Sequence, residues 1–339
     1  MSDLATAAPA VAAAPVPAPE VSVVVPVRNE ERTIDECLRS VLAQDFGDLE
    51  VVVVDNGSTD ATPAMLRAWT EADPRVRVLT LDRPSIPAAL NAALAAVRGR
   101  WLVRVDAHST VPPEYVGVAM RLLRTGRWVG VGGRKDAVAA TPTGKAIAAV
   151  LGSRLAVGGS TYHHGTTPQT VEHVPFGCYP TERLRAVGGW DEGIANNEDF
   201  ELDQRLRRHG ELYFDPSLCI AWNGRERIAD LFAQYRRYGT GKPAVALRHP
   251  GSVSPRHLAP PALVAWLATF GLVSLRHPRL GLVAVTPYAA AVGVASTAII
   301  RDLPAAASRP AVPAALVAMQ VGWGVGFWQG TARLLRRTR

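Results

Sequence analysis

Acidic and imidazole side chains follow several apolar runs of this 339-residue chain. Asp106 and His108 come directly after the run at 101–105, WLVRV, with one residue between them. Residues i and i+2 at a strand end point to the same side, so both side chains could bind one divalent cation. Asp is a hard oxygen ligand suited to Mg²⁺ or Mn²⁺, whereas His accepts Mn²⁺ and softer metals. The alternative is a structural role for His108.

A second acidic group opens a helical pattern later in the chain. Residues 197–203, NEDFELD, start this pattern, and its other end is basic. Acid at the start and base at the end suit the helix dipole. Glu198 and Asp199 are therefore either chemically active carboxylates or helix-stabilising ones. Asp203 is predicted to pair with Arg207 on the helix surface.

Short apolar runs predict buried β-strands, and helical patterns separate them. The runs are residues 21–25, 51–54, 76–80 and 101–105. This alternation predicts an α/β fold with a mostly parallel sheet and helices on both faces. Ligands bind beyond the carboxyl ends of such strands, which directs attention to residues 26–30, 55–58 and 106–108.

Two later segments are rich in glycine or polar residues. Residues 130–135, GVGGRK, predict a turn or close-packed strand and not a phosphate cradle, because no clear helix follows. Residues 157–170 predict a polar loop, and we expect 160–169 to be mobile and to order over bound substrates. His163 and His164 would contact a substrate or be exposed to solvent. The VEHVPF run that follows predicts a strand.

Composition restricts the class of protein. The net charge is +7, but the chain has no dense Lys/Arg run interleaved with aromatic residues, which disfavours a nucleic-acid partner. Three scattered cysteines argue against a disulfide framework or cysteine-based zinc site and fit a reducing compartment. The Ala- and Pro-rich residues 1–20 lack a signal-peptide pattern and are predicted to be disordered.

Three long uncharged stretches are candidate membrane spans. They cover residues 258–275, 280–300 and 311–329. Counting Lys and Arg near the span ends favours two spans, with only the loop 301–310 external. The first stretch, opened by Pro260 and Pro261, would then lie in the interface or re-enter. Three full spans are the alternative, and they would place the basic tail 331–339 outside.

The motifs in their order resemble a known enzyme family. They are VSVVVPVRNEERTIDECLRSVLAQ, VVVVDNGSTDAT, WLVRVDAHS, VGGWDEGIANNEDFEL and QYRRYG. Over about residues 20–245 their order, spacing and strand-end placement resemble the inverting glycosyltransferases of family 2. The DAH triplet and the polar loop before VPFG resemble the succinoglycan-type exopolysaccharide glucosyltransferases within it. The resemblance implies a GT-A-like fold and a UDP-sugar donor.

The resemblance implies roles for residues at the first two strand ends. Pro26, Arg28 and Glu30 occupy the family's first nucleotide-contacting turn, although Glu30 could also be a plain helix N-terminal acid. Asp55 corresponds to a carboxylate that accepts a hydrogen bond from the uracil N–H, and the alternative is an Asx turn that caps the strand. Asn56 stands where the family usually has a second Asp.

The DAH triplet stands in place of the family's D-x-D. The resemblance implies that Asp106 contacts the donor nucleotide and that Asp106 and His108 hold Mg²⁺ or Mn²⁺, which neutralises the leaving diphosphate. An inverting displacement needs a carboxylate that takes the acceptor proton. The family's E-D pair assigns this base to Asp199, with Glu198 at the acceptor or diphosphate.

Residues 234–238, QYRRY, resemble the family's Q-x-x-R-W with Tyr for Trp. The resemblance places Gln234, Arg237 and Tyr238 at the acceptor or diphosphate, and guanidinium suits phosphate oxygens. The alternative is an interfacial amphipathic helix anchored by Tyr and Arg.

We therefore expect an inverting glycosyltransferase of exopolysaccharide or cell-envelope glycan synthesis. It would move sugar from a UDP-sugar to a lipid-linked or glycan acceptor at the cytoplasmic face of the inner membrane, in contact with membrane lipids. The alternatives are transfer to polyprenyl phosphate, an inactive nucleotide-binding membrane scaffold, and a nucleotidyltransferase.

The expected domain organisation follows the change in composition along the chain. It comprises a disordered lead-in (1–20), a GT-A domain (21–225), an interfacial amphipathic segment (226–257), a membrane region of two or three hydrophobic helices (258–330) and a basic tail (331–339).

Overall fold

A computed structural model describes residues 18–82 and 84–337, without the side chain of Arg337. The predicted disorder of residues 1–20 lies almost wholly outside the described residues. The strands are β1 (Val21–Val27), β2 (Leu49–Asp55), β3 (Val76–Thr80), β4 (Trp101–Arg104), β5 (Ser109–Thr110), β6 (Trp128–Gly132), β7 (Lys135–Val138), β8 (Gln169–Val171), β9 (Cys178–Pro180), β10 (Glu211–Phe214) and β11 (Ile220–Asn223).

Helices separate most of these strands and continue beyond the last one. They are α1 (Ile34–Leu42), α2 (Thr62–Ala72), α3 (Ile86–Ala96), α4 (Tyr115–Leu123), α5 (Pro142–Leu151), α6 (Arg154–Val157), α7 (Thr181–Ala186), α8 (Glu198–Leu206), α9 (Ile228–Arg248), α10 (Pro255–Ser274), α11 (Pro278–Arg301) and α12 (Ala311–Arg337), with 3₁₀ turns at Thr161–His163 and Pro250–Ser252.

The described strands form a mostly parallel eight-stranded sheet in the order β3-β2-β1-β4-β9-β6-β10-β8, and β5-β11-β7 form a second sheet beside it. In the large sheet β9 pairs antiparallel with β4 and β6, and β8 antiparallel with β10. Alternate residues of β1 face opposite cores: Val23 and Val25 lie in one, and Val24 lies in the other. The predicted α/β class, with a mostly parallel sheet and helices on both faces, is confirmed.

Two local predictions meet different outcomes. The glycine-rich segment 130–135 begins in β6 and is close-packed as expected. A Cβ atom added to Gly130 would lie only 2.6 Å from the Tyr179 ring, so a larger residue would not fit there. The VEHVPF run was predicted as a strand, and this is wrong. Its first residue ends β8, and the remainder is a turn that reaches β9, with Phe176 at φ 53°.

Close backbone packing joins α9 to α12. Gly322, Gly326 and Gly330 recur every fourth residue of α12, so they lie on one helix face. A Cβ at each would press on a backbone carbonyl of α9, those of Phe232, Arg236 and Thr240. Small residues at this spacing allow two helix backbones to approach closely. α12 is therefore attached along its length to the helix that carries QYRRY.

The three terminal apolar helices are long and apolar enough to cross a membrane: Pro255–Ser274, Pro278–Arg301 and Ala311–Arg336. They differ in burial, since 11% of the apolar window of the first is buried, 22% of the second and 50% of the third. α10 and α11 form an antiparallel hairpin, in which Trp266 Nε1 donates to Ala284 O at 3.2 Å.

The structure corrects the two-span arrangement, which placed the loop 301–310 across the membrane from the catalytic domain. Ser308 N donates to Pro142 O of α5 at 2.8 Å, and the start of α12 packs on α5 through Val312 and Ala315. Because α5 belongs to the sheet-bearing domain, this loop lies on the same side as that domain. The positive-inside count missed this contact because it considers only charges near span ends.

Candidate active site

Three carboxylates meet the buried guanidinium of Arg104 at the carboxyl end of β4. Arg104 Nε donates to Asp106 Oδ1 at 2.8 Å, and its Nη1 donates to Asp199 Oδ1. Its Nη2 lies 3.7 Å from Glu198 Oε1. β4 and α8 are far apart in sequence, but the start of α8 lies beyond the carboxyl end of β4. Ligands of such α/β sheets bind at this edge.

Charge is concentrated strongly in this cluster. Burial disfavours the charged guanidinium of Arg104, but the charges of Asp106, Asp199 and Glu198 outweigh it and raise its pKa. Burial raises the pKa of Asp106, but the opposing charges of Arg104 and then His108 lower it overall. Asp106 therefore stays ionised. The three acids Asp106, Glu198 and Asp199 surround the single guanidinium of Arg104.

Glu198 and Asp199 differ in their surroundings at the start of α8. Asn197, in the left-handed conformation at φ 65°, precedes the helix. Asp199 Oδ1 accepts from Arg104 and also from Trp190 Nε1 at 3.1 Å. Burial, followed by the charge of Asp199, raises the pKa of Glu198 to about 7. Asp199 is thus fixed by two donors, while Glu198 can be protonated near neutral pH.

His108 contacts the carboxylate of Glu30, a residue that the sequence analysis assigned to the nucleotide turn and not to the metal site. Its Nδ1 lies 3.2 Å from Glu30 Oε1, while Glu30 Oε2 accepts from Thr33 Oγ1 at 2.8 Å. Asp106 and His108 are both partly exposed, and Ala107 between them is buried.

The donor set at this point combines a carboxylate with an imidazole, which suits a divalent cation such as Mn²⁺. Within residues 18–82 and 84–337, no three His, Cys, Asp or Glu side chains form a complete metal cage. Mg²⁺ and similar cations need only one or two protein ligands when substrate phosphates and water supply the others. The ionised Asp106 and the imidazole of His108 fit such an incomplete site.

The first two strand ends form a continuous turn region. Asp55 Oδ1 accepts from Ser58 N, three residues on, at 3.0 Å, and so holds the turn that follows β2. Asn56 Oδ1 accepts from Ser85 N at 2.8 Å and so holds the start of α3. Asn29, at φ 54°, accepts from Thr59 N at 2.7 Å and places the exposed Arg28 at this edge.

Only part of the QYRRY motif faces the site. Gln234 is buried, and its Nε2 donates to the Tyr238 hydroxyl at 3.0 Å. Asn197 Nδ2 donates to Tyr238 O at 2.9 Å and joins this part of α9 to the start of α8. Arg237 is exposed, and the structure does not bring it into the carboxylate cluster. Arg225 Nε, at 3.4 Å from Gln234 Oε1, lies on that side instead.

Comparisons with known proteins agree with this fold. The family model for glycosyl transferase family 2 matches residues 22–164. The chain is 32% identical over 331 residues to the succinoglycan biosynthesis protein ExoA of Rhizobium meliloti, covering 93% of this chain and 96% of that protein. This chain belongs to glycosyltransferase family 2.

Other similar proteins extend the comparison. A dolichyl N-acetyl-α-D-glucosaminyl phosphate 3-β-D-2,3-diacetamido-2,3-dideoxy-β-D-glucuronosyltransferase of Methanococcus voltae is 22% identical over 233 residues, covering 66% of this chain and 72% of that enzyme. The structure of the mannosyltransferase PcManGT from Pyrobaculum calidifontis in complex with GDP-Man and Mn²⁺ superposes with a TM-score of 0.58 at 22% identity, covering 92% and 89% of the two chains. That likeness shows the GT-A fold.

Sequence reasoning missed two cations of this glycosyltransferase. Arg104 is visible in WLVRVDAHS, where an Arg inside an apolar strand signals a buried ion pair. Lys135 ends the GVGGRK segment, and its Nζ lies 4.6 Å from the Phe176 ring centre and 4.2 Å from that of Trp222. Burial lowers the pKa of Lys135 to about 8, against the opposing charge of Asp106.

Two further expectations for the family 2 domain need correction. Asp203 was predicted to pair with Arg207, but it is buried and accepts from Val174 N at 2.9 Å and the Tyr179 hydroxyl at 3.0 Å. Helical spacing identified a possible partner but not the buried face of α8. His163 is partly buried and not solvent-exposed, and burial lowers its pKa to about 3.

Proposed function

We propose that this family 2 glycosyltransferase catalyses inverting transfer of a sugar from a UDP-sugar to a hydroxyl of a lipid-linked or growing glycan acceptor. The convergence of Asp106, Glu198 and Asp199 on Arg104 carries the proposal. It unites a candidate metal ligand and a candidate base beside the nucleotide turn. The similarity to ExoA, a succinoglycan biosynthesis protein, supports a role in exopolysaccharide or cell-envelope glycan synthesis.

Asp55 and the turn at Pro26, Arg28 and Glu30 are assigned to the donor nucleotide. One oxygen of Asp55 accepts from Ser58 N, which orients the carboxylate so that its other oxygen can accept the uracil N–H. Arg28 lies exposed at the same edge, where its charge favours phosphate.

Asp106 and His108 would hold Mg²⁺ or Mn²⁺, and the ion would neutralise the charge that develops on the departing diphosphate. The Mn²⁺ in the PcManGT complex supports this assignment. Arg104 keeps Asp106 ionised and aimed at the strand end. The nearby Lys135 adds positive charge on the side of Phe176 and Trp222.

Asp199 is proposed as the base that takes the acceptor hydroxyl proton. Arg104 and Trp190 fix one of its oxygens, so the direction of the other is determined before substrate arrives. Glu198, with its raised pKa, can carry a proton near neutral pH and donate a hydrogen bond to acceptor or diphosphate. Gln234 and Tyr238 border the same place from α9.

The catalytic domain is proposed to lie on the cytoplasmic side of the inner membrane, where nucleotide sugars are made. The apolar hairpin of α10 and α11 would anchor it there. The similarity to a transferase whose name specifies a dolichyl-phosphate-linked sugar supports a lipid-linked acceptor.

The proposal is tested with membranes that contain the protein, a panel of radiolabelled nucleotide sugars and extraction of labelled lipid. Asp199→Asn should lower kcat at least about 100-fold with the donor KM little changed, because it removes only the base. Asp55→Asn keeps an oxygen for the Ser58 turn but should raise the donor KM about tenfold.

The results separate the alternatives. Equal effects of the two variants on kcat and KM would contradict this division of roles. If Asp199→Asn keeps most activity, the acceptor is a polyprenyl phosphate, since a phosphate oxygen needs no strong base. Release of pyrophosphate in place of a nucleoside diphosphate would indicate nucleotidyl transfer.

A further inference from the structure

A separate cavity lies between the polar loop and the first apolar helix. Its volume is about 400 Å³, and it is lined by residues 159–162, 170–173 and 254–256. None of these residues belongs to the carboxylate cluster or to the turn assigned to the nucleotide. The cavity is therefore a second concave site of the same domain, located where the chain enters α10.

Positive charge predominates at this cavity, where one lining carboxylate faces two cations. Arg256 lines it, and Lys242 is buried nearby, with its Nζ donating to Ser252 O at 3.3 Å and lying 4.0 Å from the Phe200 ring centre. Burial, followed by the charge of Arg256, lowers the pKa of Lys242 to about 8. In the described part of the chain neither cation lies within salt-bridge distance of an acid, and the one lining carboxylate, the exposed Glu172, acts on Lys242 from a greater distance.

A fixed imidazole faces the same space. His173 lines the cavity, and its Nδ1 lies 2.7 Å from Asp203 Oδ2. Asp203 is fully buried and also accepts from Val174 N and the Tyr179 hydroxyl, so the carboxylate cannot turn away. This explains the position of Asp203, which the sequence misassigned. A buried carboxylate orients the ring and leaves Nε2 for another partner.

The cavity borders both the membrane helices and the reaction site. Leu258 and Trp266 of α10 are exposed apolar residues that continue from it. On its other side, the ring centre of His173 lies 5.5 Å from that of Phe200, which directly follows Asp199 in α8. Tyr162, in the cavity wall, packs edge-on against His173, with ring centres 5.4 Å apart. A ligand here would have its polar end near the carboxylates and its apolar end along α10.

We propose that this cavity binds the phosphate or diphosphate of a lipid-linked acceptor, with Arg256 and His173 contacting the phosphate oxygens and the lipid chain following α10. Guanidinium is well matched to phosphate oxygens, and a charged head joined to an apolar chain fits a cationic cavity at the foot of an apolar helix. The inference rests on the proposed function, because it concerns the acceptor of that transfer.

The test uses the full-length protein in detergent and in nanodiscs. Arg256→Gln should raise the KM for the lipid-linked acceptor at least about tenfold and leave the UDP-sugar KM within about twofold. Arg256→Lys should recover most of this loss, which distinguishes lost charge from misfolding. Arg279→Gln, at the exposed start of α11, removes a matched cation elsewhere and should behave as the wild type.

Binding is measured independently by the shift in Tm on adding geranylgeranyl diphosphate. The shift should be present in the wild type, be lost in Arg256→Gln and persist in Arg279→Gln. Equal losses in both variants, or none in either, would overturn the site. Phosphatidylglycerol that abolishes the shift at equal concentration would make this a general lipid site and overturn the acceptor assignment.

Failure of the proposed function gives a different result. If the wild type transfers sugar to no lipid-linked acceptor but still binds geranylgeranyl diphosphate through Arg256, the transfer assignment fails and the anionic site stands. If transfer occurs with unchanged acceptor KM in Arg256→Gln, the transfer assignment stands and the cavity assignment is wrong.

Discussion

Replacing Glu198 by Gln should stabilise the protein at alkaline pH and not at acid pH. Burial and the neighbouring Asp199 raise the pKa of Glu198 from 4.5 to about 7. Below pH 4.5 the group is protonated in folded and unfolded chains, so its ionisation costs nothing. Between pH 4.5 and about pH 7, Glu198 loses its proton in the unfolded chain but keeps it in the folded protein. The free energy of unfolding therefore falls as the pH rises through this range.

The size of the effect follows from that shift. The change from 4.5 to about 7 corresponds to about 3 kcal/mol of lost stability above pH 7. Gln does not titrate and should remove the pH-dependent cost. At about 2–4 °C per kcal/mol, the Tm difference between Glu198→Gln and wild type should increase by roughly 6–12 °C from pH 4.5 to pH 8.

The assay is thermal unfolding of the detergent-purified protein at both pH values. Glu182→Gln, at an exposed position of α7, is the matched control and should show the same small difference at each pH. The interpretation of Glu198 as a buried acid with a raised pKa is refuted if its Gln variant has the same Tm difference at pH 4.5 and pH 8. Activity should fall in the same variant, since the group is proposed to contact acceptor or diphosphate.

Other perturbations address the metal, the helix packing and the membrane arrangement. Chelation should lower transfer at least about tenfold, with recovery on adding Mn²⁺ or Mg²⁺, and full activity after chelation and desalting would contradict the metal assignment. Gly326→Leu should cost about 1–3 kcal/mol by pushing α12 off α9, whereas Gly271→Leu, with nothing within 4 Å of its added Cβ, should be neutral in a thermal unfolding comparison. In cells, a membrane-impermeant thiol reagent should label His277→Cys, at the end of the α10–α11 hairpin far from the sheet-bearing domain, but not Arg309→Cys. Labelling of both variants would contradict the placement of the loop 301–310 on the same side as that domain.

Much of the fold and part of the candidate site could be predicted from local pattern. Continuous apolar runs such as VVVV at 51–54 mark buried parallel strands, since both faces of such strands are covered. Asp55 and Asp106 follow strands, and the carboxyl ends of parallel strands share one edge. The alternation of strands and helices along the chain is therefore enough to predict that Asp55 and Asp106 lie at the same edge of the sheet.

Tertiary structure alone decided how charges at distant positions combine. Arg104 and Asp199 are 95 residues apart, and their ion pair exists because β4 and α8 meet at one sheet edge. Helical spacing predicted an ion pair between Asp203 and Arg207. In the structure the Asp203 carboxylate is buried and contacts His173, Val174 and Tyr179. Burial also set the different environments of the adjacent Glu198 and Asp199. Sequence periodicity specifies which face of an element is apolar, whereas desolvation and ion pairing depend on what the whole fold places against each group.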